Sequence, residues 1–156
     1  AYVLAAGFDV ISVIGGEDDA WAREFWHAGT FTFVAGVAVS VFAALTGLWD
    51  AWHSSEAGTQ ARRTINAHAT IMVTVTVLAL VDVVWRLNGH NTEAVTPIGI
   101  MVLSVVIALL VSLGATFGGT LVYDYGFNVE TAGDSPVWHR SETDVLPGHH
   151  ETDGPA

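Results

Sequence analysis

A few ionisable side chains interrupt the long apolar stretches of this chain, and these side chains could do chemistry. His68 and Asp82 lie inside the apolar segment 64–85, and Arg86 follows it. Burying an ionisable group in hydrocarbon costs several kcal/mol, so such groups turn toward a protein interior or a water-filled cavity. Helical steps of three and four residues also place Met72, Val75 and Ala79 on the stripe that these three residues define. We expect that stripe to face other helices.

The composition indicates the class of protein that must position these residues. Hydrophobic residues make up 51% of the 156 positions and charged residues 13%, and the charges gather at the ends of apolar runs. One crossing of a bilayer needs about 20 apolar residues. The sequence therefore predicts an all-α fold, a polytopic membrane four-helix bundle in the cell membrane. Its predicted spans are about 1–14, 25–49, 64–86 and 94–123, and residues 128–156 are predicted to be an acidic disordered tail.

The first predicted span is shorter than a full crossing. Residues 1–14 are apolar from the first residue and lack the basic start of a signal peptide. We therefore expect the numbered chain to begin partway through a first transmembrane helix, which is truncated here. Asp9 lies inside this segment. Its simplest interpretation is a helix-end carboxylate near the headgroups, and the alternative is a buried partner for Arg86.

Small residues recur at helical spacing along two of the spans. Membrane helices approach closely where glycines remove side-chain bulk. The second span carries such a seam, which ends at Asp50, and the fourth span carries a GxxxG pair; the predicted packing glycines are Gly29, Gly36, Gly47, Gly114 and Gly118.

Alternating crossings sort the polar residues onto two sides of the membrane. We call face A the side where the second span begins, and face B the side where it ends. Face A is expected to hold Asp9, His27, Asp82 and Arg86, and face B to hold Asp50, His53, Arg62, Arg63, His68 and the tail. His27 and His68 are then too far apart to share one metal or haem. The remaining bis-histidine option is His68 with His53.

The sharpest hypothesis concerns Asp50 and His68, which a loop of about ten residues joins at face B. We expect the two side chains to meet, with Arg63 near enough to join them. The preferred interpretation is a buried histidine whose N–H is satisfied by the carboxylate. The alternatives are a cofactor ligand, with haem b as the cofactor, and a proton relay. Asp82 and Arg86 are most simply a helix-end ion pair.

The charge balance excludes several partners. Sixteen acidic residues oppose five arginines, no lysine occurs, and the net charge of −11 disfavours nucleic acid and anionic headgroups. Such a composition fits a halophile, although coding bias produces the same lysine deficit. Without cysteine there is no thiolate metal site. No metal site and no catalytic residues are predicted, because the His149–His150 pair lies in the tail and no nucleophile–base pair is visible. Three of the five arginines lie on face B, which predicts that face B and the tail are cytoplasmic.

Five motifs in order carry a family resemblance. FDVIS, ALTGLWD, RRTINAH, VVWR and LGATFGGTLVYDYGFNV together resemble the predicted membrane proteins of domain of unknown function 2231. The resemblance implies a four-helix membrane domain of bacteria and haloarchaea, joined in some members to Rieske iron–sulfur modules, with a hint of electron transfer and no established activity. The family's recurrent polar positions correspond to Asp9, Asp50, His68 and Arg86. Members usually open with a His-Pro segment before the first span.

Three classes of function remain open. The preferred one is a structural or accessory subunit of a membrane complex, partnered by the lipid bilayer and by other membrane subunits or further copies of the chain. The second is a haem- or quinone-associated electron carrier that uses His68. The third is a small transporter or proton path through Asp50, His68 and Asp82, which the lack of a visible inverted repeat weakens.

Overall fold

The computed structural model describes residues 1–53 and 58–126, except for the side chain of His53. These residues form four helices and no strand: α1 (Tyr2–Gly15), α2 (Ala20–His53), α3 (Gln60–Gly89) and α4 (Ile98–Tyr123). The all-α fold predicted from the sequence is confirmed. The predicted tail, 128–156, lies outside the described residues, as does the side chain of His53 with its proposed role beside His68.

Local sequence explains where the helices begin and end. Gly16 takes a φ of 76° just after α1, a left-handed conformation that favours glycine and stops the helix. Thr59 caps α3, because its hydroxyl oxygen accepts a hydrogen bond from the Arg62 backbone N–H at 3.2 Å. Pro97 precedes α4, where a missing N–H does no harm.

The four helices form a ring in chain order. Packed pairs are α1 with α2, α2 with α3, α3 with α4, and α4 with α1. Within the described residues, the diagonal pairs do not pack backbone against backbone. Short connections make sequential neighbours antiparallel, so the ends of α1 and α3 meet the starts of α2 and α4 at face A.

Three helices are long and apolar enough to cross a membrane: α2 over Ala20–Trp52, α3 and α4. Large apolar side chains such as Phe42, Val77 and Leu109 point outward with more than half of their surface exposed. Exposed apolar side chains in such number are tolerated when the surrounding medium is lipid rather than water. The chain is a multi-pass membrane protein.

An apolar layer fills the middle of the bundle. It contains Tyr2 from α1, Phe33 from α2, Val75 and Ala79 from α3, and Ile107 from α4, all buried. The stripe predicted along α3 faces this interior, since Val75, Ala79, Asp82 and Arg86 are buried while His68 and Met72 are partly buried.

Four of the five predicted packing glycines lie close to a neighbouring helix. Added Cβ atoms on Gly29 and Gly36 would lie 2.9 Å from Asp9 Oδ1 and 2.8 Å from the Ala1 side chain, so both glycines admit α1. On α4, Gly114 and Gly118 admit Met72 and His68 of α3, with Cβ distances of 2.7 Å to Met72 Sδ and 3.1 Å to His68 Cε1. Within the described residues, nothing lies within 4 Å of the Cβ position of Gly47, so its packing against a helix stays a prediction.

Helix α1 is shorter than its neighbours and lies at the face A end. At about 1.5 Å per residue its 14 residues span roughly 21 Å, whereas the 34 residues of α2 span roughly 51 Å. Its contacts run along α2 from Trp21, near Gly15, to Ser40, whose Oγ accepts a hydrogen bond from the Tyr2 hydroxyl at 2.8 Å. Near face B, therefore, the described bundle consists of α2, α3 and α4.

Candidate functional site

A buried ionic cluster occupies the interior near face A. Asp9, Asp82 and Arg86 all have no exposed surface. The Arg86 guanidinium donates from Nε to Asp82 Oδ1 at 2.9 Å and from Nη1 to Asp9 Oδ1 at 3.0 Å, and its Nη2 donates to Asp9 Oδ2. The two bonds to Asp9 form a bidentate pair, which is the strongest geometry for an arginine and a carboxylate. One guanidinium thus joins α3 to α1 and pairs with both buried carboxylates.

Hydrogen bonds of neutral polar groups connect the ionic cluster to the segment before α4 and to the start of α2. The Thr96 hydroxyl donates to Asp9 Oδ1 at 3.3 Å, and the Thr96 backbone N–H donates to Ser12 Oγ at 3.0 Å. Ser12 in turn donates to the Ala22 carbonyl at the start of α2, at 2.8 Å. The sequence analysis did not single out Thr96 or Ser12. Two signals could have found them: Thr96 carries a hydroxyl directly before Pro97, and Ser12 carries one about a turn beyond Asp9.

Aromatic rings cover the faces of the guanidinium. Arg86 Cζ lies 4.6 Å from the centre of the Phe33 ring and 5.5 Å from that of Trp26, both rings being fully buried. Cation–π contacts of this kind strengthen when the cation is removed from water. They help to compensate for the loss of hydration around the buried charge.

The structure changes the interpretation of this cluster. The ion pair predicted between Asp82 and Arg86 at the end of α3 is present at 2.9 Å. For Asp9, sequence analysis favoured a helix-end position near the headgroups. Instead, Asp9 is the buried partner of Arg86, because α1 presents the middle of its length to the bundle interior at the level of the last turn of α3. Gly29 provides the space for the Asp9 carboxylate.

A second group of polar residues at face A joins α2 to the end of α3. The rings of His27 and His90 lie 4.6 Å apart between centroids, with Trp26 and Phe31 near His90. His27 Nε2 and His90 Nδ1 are buried atoms without a hydrogen-bond partner in the described chain. Sequence reasoning did not pair these histidines. In residues 1–53 and 58–126, no group of three His, Cys, Asp or Glu side chains could hold a metal ion.

A cavity of about 470 Å³ lies between α2, α3 and α4 near face B. Asp50 and His68 both contribute to its wall. Asp50 is exposed and His68 is partly buried. The hydrogen bond found for the His68 ring joins Nδ1 to the Gly114 carbonyl at 2.9 Å, a partner that the sequence analysis did not foresee. A direct contact between Asp50 and His68 stays a prediction.

Arg62 and Arg63, the described arginines near face B, have different surroundings. Arg62 Nη1 donates to the Ala51 carbonyl at 2.6 Å, which satisfies one of the last carbonyls of α2. Arg63 is partly buried and is not among the described residues of the cavity wall. Its proposed role beside Asp50 and His68 therefore stays a prediction.

Comparison with known families agrees with this architecture. The family model described as predicted membrane protein DUF2231 matches residues 1–131, which include the four described helices and the polar groups at both faces. The chain belongs to the DUF2231 family. No curated protein and no solved structure matches this DUF2231 chain. Family membership thus supports an integral membrane protein and assigns no activity to any of these polar groups.

Proposed function

We propose that this DUF2231 chain is an accessory subunit of a membrane electron-transfer complex, in which the bundle acts as a fixed framework and not as a transport path. The observation that carries the proposal is the mutual pairing of the three buried charges at face A. The Arg86 guanidinium makes hydrogen bonds to Asp9 and Asp82 with all three of its nitrogens. The electron-transfer part rests on the resemblance to family members that are joined to Rieske modules.

The buried ion cluster opposes large helix movements. Separating one member of a buried ion pair leaves an uncompensated charge and costs about 3–5 kcal/mol. Alternating access would require groups of helices to rock against each other. Such a movement between α1 and α3 would break the bidentate contact of Arg86 with Asp9. The cluster therefore favours a static bundle.

The ionic cluster at face A and His68 near face B are also far apart along the bundle. From His68 to Asp82 is roughly 21 Å along α3 at about 1.5 Å per residue. The apolar layer of Phe33, Val75, Ala79 and Ile107 lies between them. A proton path needs a chain of polar groups or water. Among the described side chains of the layer, only Tyr2 carries a polar group, and its hydroxyl is bonded to Ser40 Oγ at 2.8 Å. The separation weakens the transporter reading through Asp50, His68 and Asp82.

A specific observation favours a second candidate, an electron carrier that uses His68. A histidine whose Nδ1 is held by a carbonyl has a fixed ring and a fixed tautomer, which is the arrangement that ligand-binding histidines need. This candidate is compatible with an accessory subunit, because a subunit of an electron-transfer complex can also hold a carrier.

The accessory role is tested by the native mass of the protein. We would tag the full chain at its own chromosomal locus, solubilise the membranes in mild detergent, and determine the mass and visible spectrum of the assembly that contains it. The expected result is a stoichiometric assembly with a cofactor-bearing membrane protein, much larger than the 16.5 kDa chain. A species that contains only this chain would contradict the proposal.

The framework role is tested in liposomes. The purified chain should conduct no more protons than empty vesicles when a pH gradient and a membrane potential are imposed. A proton flux that Asp82→Asn abolishes and the exposed-site variant Asp18→Asn leaves unchanged would establish a transport path instead.

A further inference from the structure

The ionic cluster near face A carries more negative than positive charge. Asp9 and Asp82 are two carboxylates, and Arg86 is the cation that bonds to both of them. All three side chains have no exposed surface. One negative charge is therefore left over in the interior of the bundle. A buried charge without a partner is so unfavourable that the group usually binds a proton and becomes neutral.

The elements packed around the cluster supply no second cation among the described residues. Helix α4 has no ionisable side chain before Tyr123, which lies at its face B end. On α2, Arg23 is exposed and His27 is partly exposed. His90 lies two turns beyond Asp82, roughly 12 Å along the axis of α3 at about 1.5 Å per residue. The remaining described charges at face A are acidic and exposed: Glu17, Asp18, Asp19, Glu24 and Glu93.

The hydrogen bonds of the two carboxylates show which oxygen can hold a proton. Both oxygens of Asp9 already accept hydrogen bonds, Oδ1 from Arg86 and Thr96 and Oδ2 from Arg86. Asp82 accepts a hydrogen bond at Oδ1, from Arg86 Nε at 2.9 Å. Its Oδ2 is buried and has no hydrogen-bond partner in the described chain. Hydrogen bonds to both oxygens favour the ionised form of Asp9, whereas Oδ2 of Asp82 is available to a proton.

The groups on α2 beside the cluster suit a proton better than a metal ion. Trp26 packs on Arg86, with 5.5 Å between its ring centre and Arg86 Cζ. Its Nε1 and the Oγ1 of Thr30 are buried atoms without a hydrogen-bond partner in the described chain. The indole N–H only donates, so it cannot ligate a cation, while the threonine hydroxyl can both donate and accept. In residues 1–53 and 58–126, no three metal-ligating side chains converge here.

Protons can reach the cluster from face A but not from face B. Arg86 and His90 follow Asp82 toward the end of α3, and the rings of His27 and His90 pack together at that end, 4.6 Å apart between centroids. Imidazole is the side chain that exchanges protons near neutral pH. Toward face B, the apolar layer around Val75 closes the interior. Access from one side allows the cluster to bind protons without conducting them across the membrane.

We propose that the ionic cluster is a proton-binding site, in which Asp82 takes up a proton at Oδ2 from the face A side and releases it again. With the proton bound, the cluster has no net charge, and Asp82 Oδ1 still accepts the hydrogen bond from Arg86. Release of the proton returns the cluster to two carboxylates and one guanidinium.

Infrared spectroscopy of the purified full chain in nanodiscs tests the proposal. A difference spectrum between buffers of about pH 6 and about pH 9 isolates a buried acid, because exposed carboxyl groups, with pKa values of about 4, are ionised in both. The parent should show the C=O stretch of one protonated carboxylic acid at the lower pH, and transfer to D₂O should shift this band. Asp82→Asn should remove the band, whereas Asp18→Asn, at an exposed position, should retain it.

Two further variants test the reason for proton binding. Asp9→Asn removes one negative charge, so Asp82 and Arg86 neutralise each other and the band should be lost although Asp82 is present. Asp82→Glu should keep a band but change its frequency, because the acid itself is altered. Thermal unfolding of each variant shows whether the fold is retained. If Asp9→Asn does not fold, the frequency change in Asp82→Glu decides whether Asp82 carries the proton.

Each other outcome overturns the proposal. A parent without the band keeps its negative charge unprotonated. A band that survives Asp82→Asn, or that Asp82→Glu leaves at the same frequency, belongs to another group. A band that survives Asp9→Asn is not caused by the excess charge.

Two controls on the parent concern the bound species. A band that does not shift in D₂O means that the proton is trapped, which contradicts reversible binding. A band that sodium chloride removes and choline chloride at the same concentration does not means that the site takes Na⁺ instead. Infrared spectra report protonation, whereas the native mass reports assembly, so this inference and the accessory role can fail separately.

Discussion

Arg86 on α3 donates two hydrogen bonds to the carboxylate of Asp9 on α1, although these helices lie on a diagonal of the bundle and their backbones do not pack together. The long arginine side chain therefore spans the centre of the bundle. It links α1 to α3 through two residues that are 77 positions apart in the sequence. This link should make the interior near face A strongly sensitive to substitution.

Removing the guanidinium should destabilise the protein severely. Arg86→Leu leaves two buried carboxylates without a cation, and we expect the free energy of unfolding to fall by about 3–5 kcal/mol. Equilibrium unfolding in mixed detergent micelles measures this change. Arg23→Leu, at an exposed position on α2, is the matched control and should change stability by less than about 0.5 kcal/mol. If Arg86→Leu lowered the free energy of unfolding as little as the control does, the buried cluster would contribute no stability.

Coupling between Asp9 and Arg86 can be measured directly. Residues in one buried hydrogen-bond network show interaction energies of about 0.5–3 kcal/mol in double-mutant cycles. We expect a value in the upper part of this range for Asp9→Asn with Arg86→Gln. Strict additivity of the two single changes would contradict the bidentate contact.

The space at Gly29 should be essential for the position of Asp9. A Cβ atom there would lie 2.9 Å from Asp9 Oδ1, so Gly29→Ala should displace the carboxylate and cost about 1–3 kcal/mol. Gly7→Ala is the control, because nothing lies within 4 Å of its Cβ position on α1. Alanine should stabilise that helix by up to about 1 kcal/mol. The same unfolding assay should thus give opposite signs for the two changes, and two equal signs would refute this role of Gly29.

The α3–α4 contact should depend on Gly114. A Cβ atom at this position would lie 2.7 Å from Met72 Sδ and 3.2 Å from an Ile71 methyl group. Methionine can yield, so Gly114→Ala should cost only about 1 kcal/mol, whereas Gly114→Leu should separate the helices and cost about 3 kcal/mol. Unfolding in micelles measures both changes, with Gly119→Ala as a control at an open position. Equal stability of the parent and Gly114→Leu would remove Gly114 from the packing seam.

Orientation in the membrane follows from the arginines. Arg62 and Arg63 lie near face B, and Arg140, outside the described residues, is expected on the same side because it follows α4; this excess of arginine predicts that face B is cytoplasmic. A fluorescent reporter fused after Ala156 should mature in the cytoplasm, and alkaline phosphatase fused at the same site should be inactive. The reverse pattern would place face B outside.

Several features of this protein could be predicted from the sequence because they depend on local patterns. Run length and charge distribution determine the membrane class and the number of helices, since each crossing must hide its own backbone groups from lipid. Periodicity predicts which side of α3 faces inward, and it places Val75, Ala79 and Asp82 on that side. Glycine spacing predicts the close approach at Gly29, Gly36, Gly114 and Gly118.

Tertiary structure decided which polar residues meet. Helix periodicity reports the side of a helix but not the rotation of its neighbour, so the choice of Asp9 as the partner of Arg86 required the ring order of the helices. The same applies to His68, whose ring nitrogen reaches the Gly114 carbonyl on α4, and to His27 and His90. Gly47 continues the seam of α2 in sequence but faces a cavity, because its surroundings depend on where the other helices lie. Which side chains meet depends on how the helices pack against each other. Spacing along one helix predicts only the side of that helix on which a partner lies.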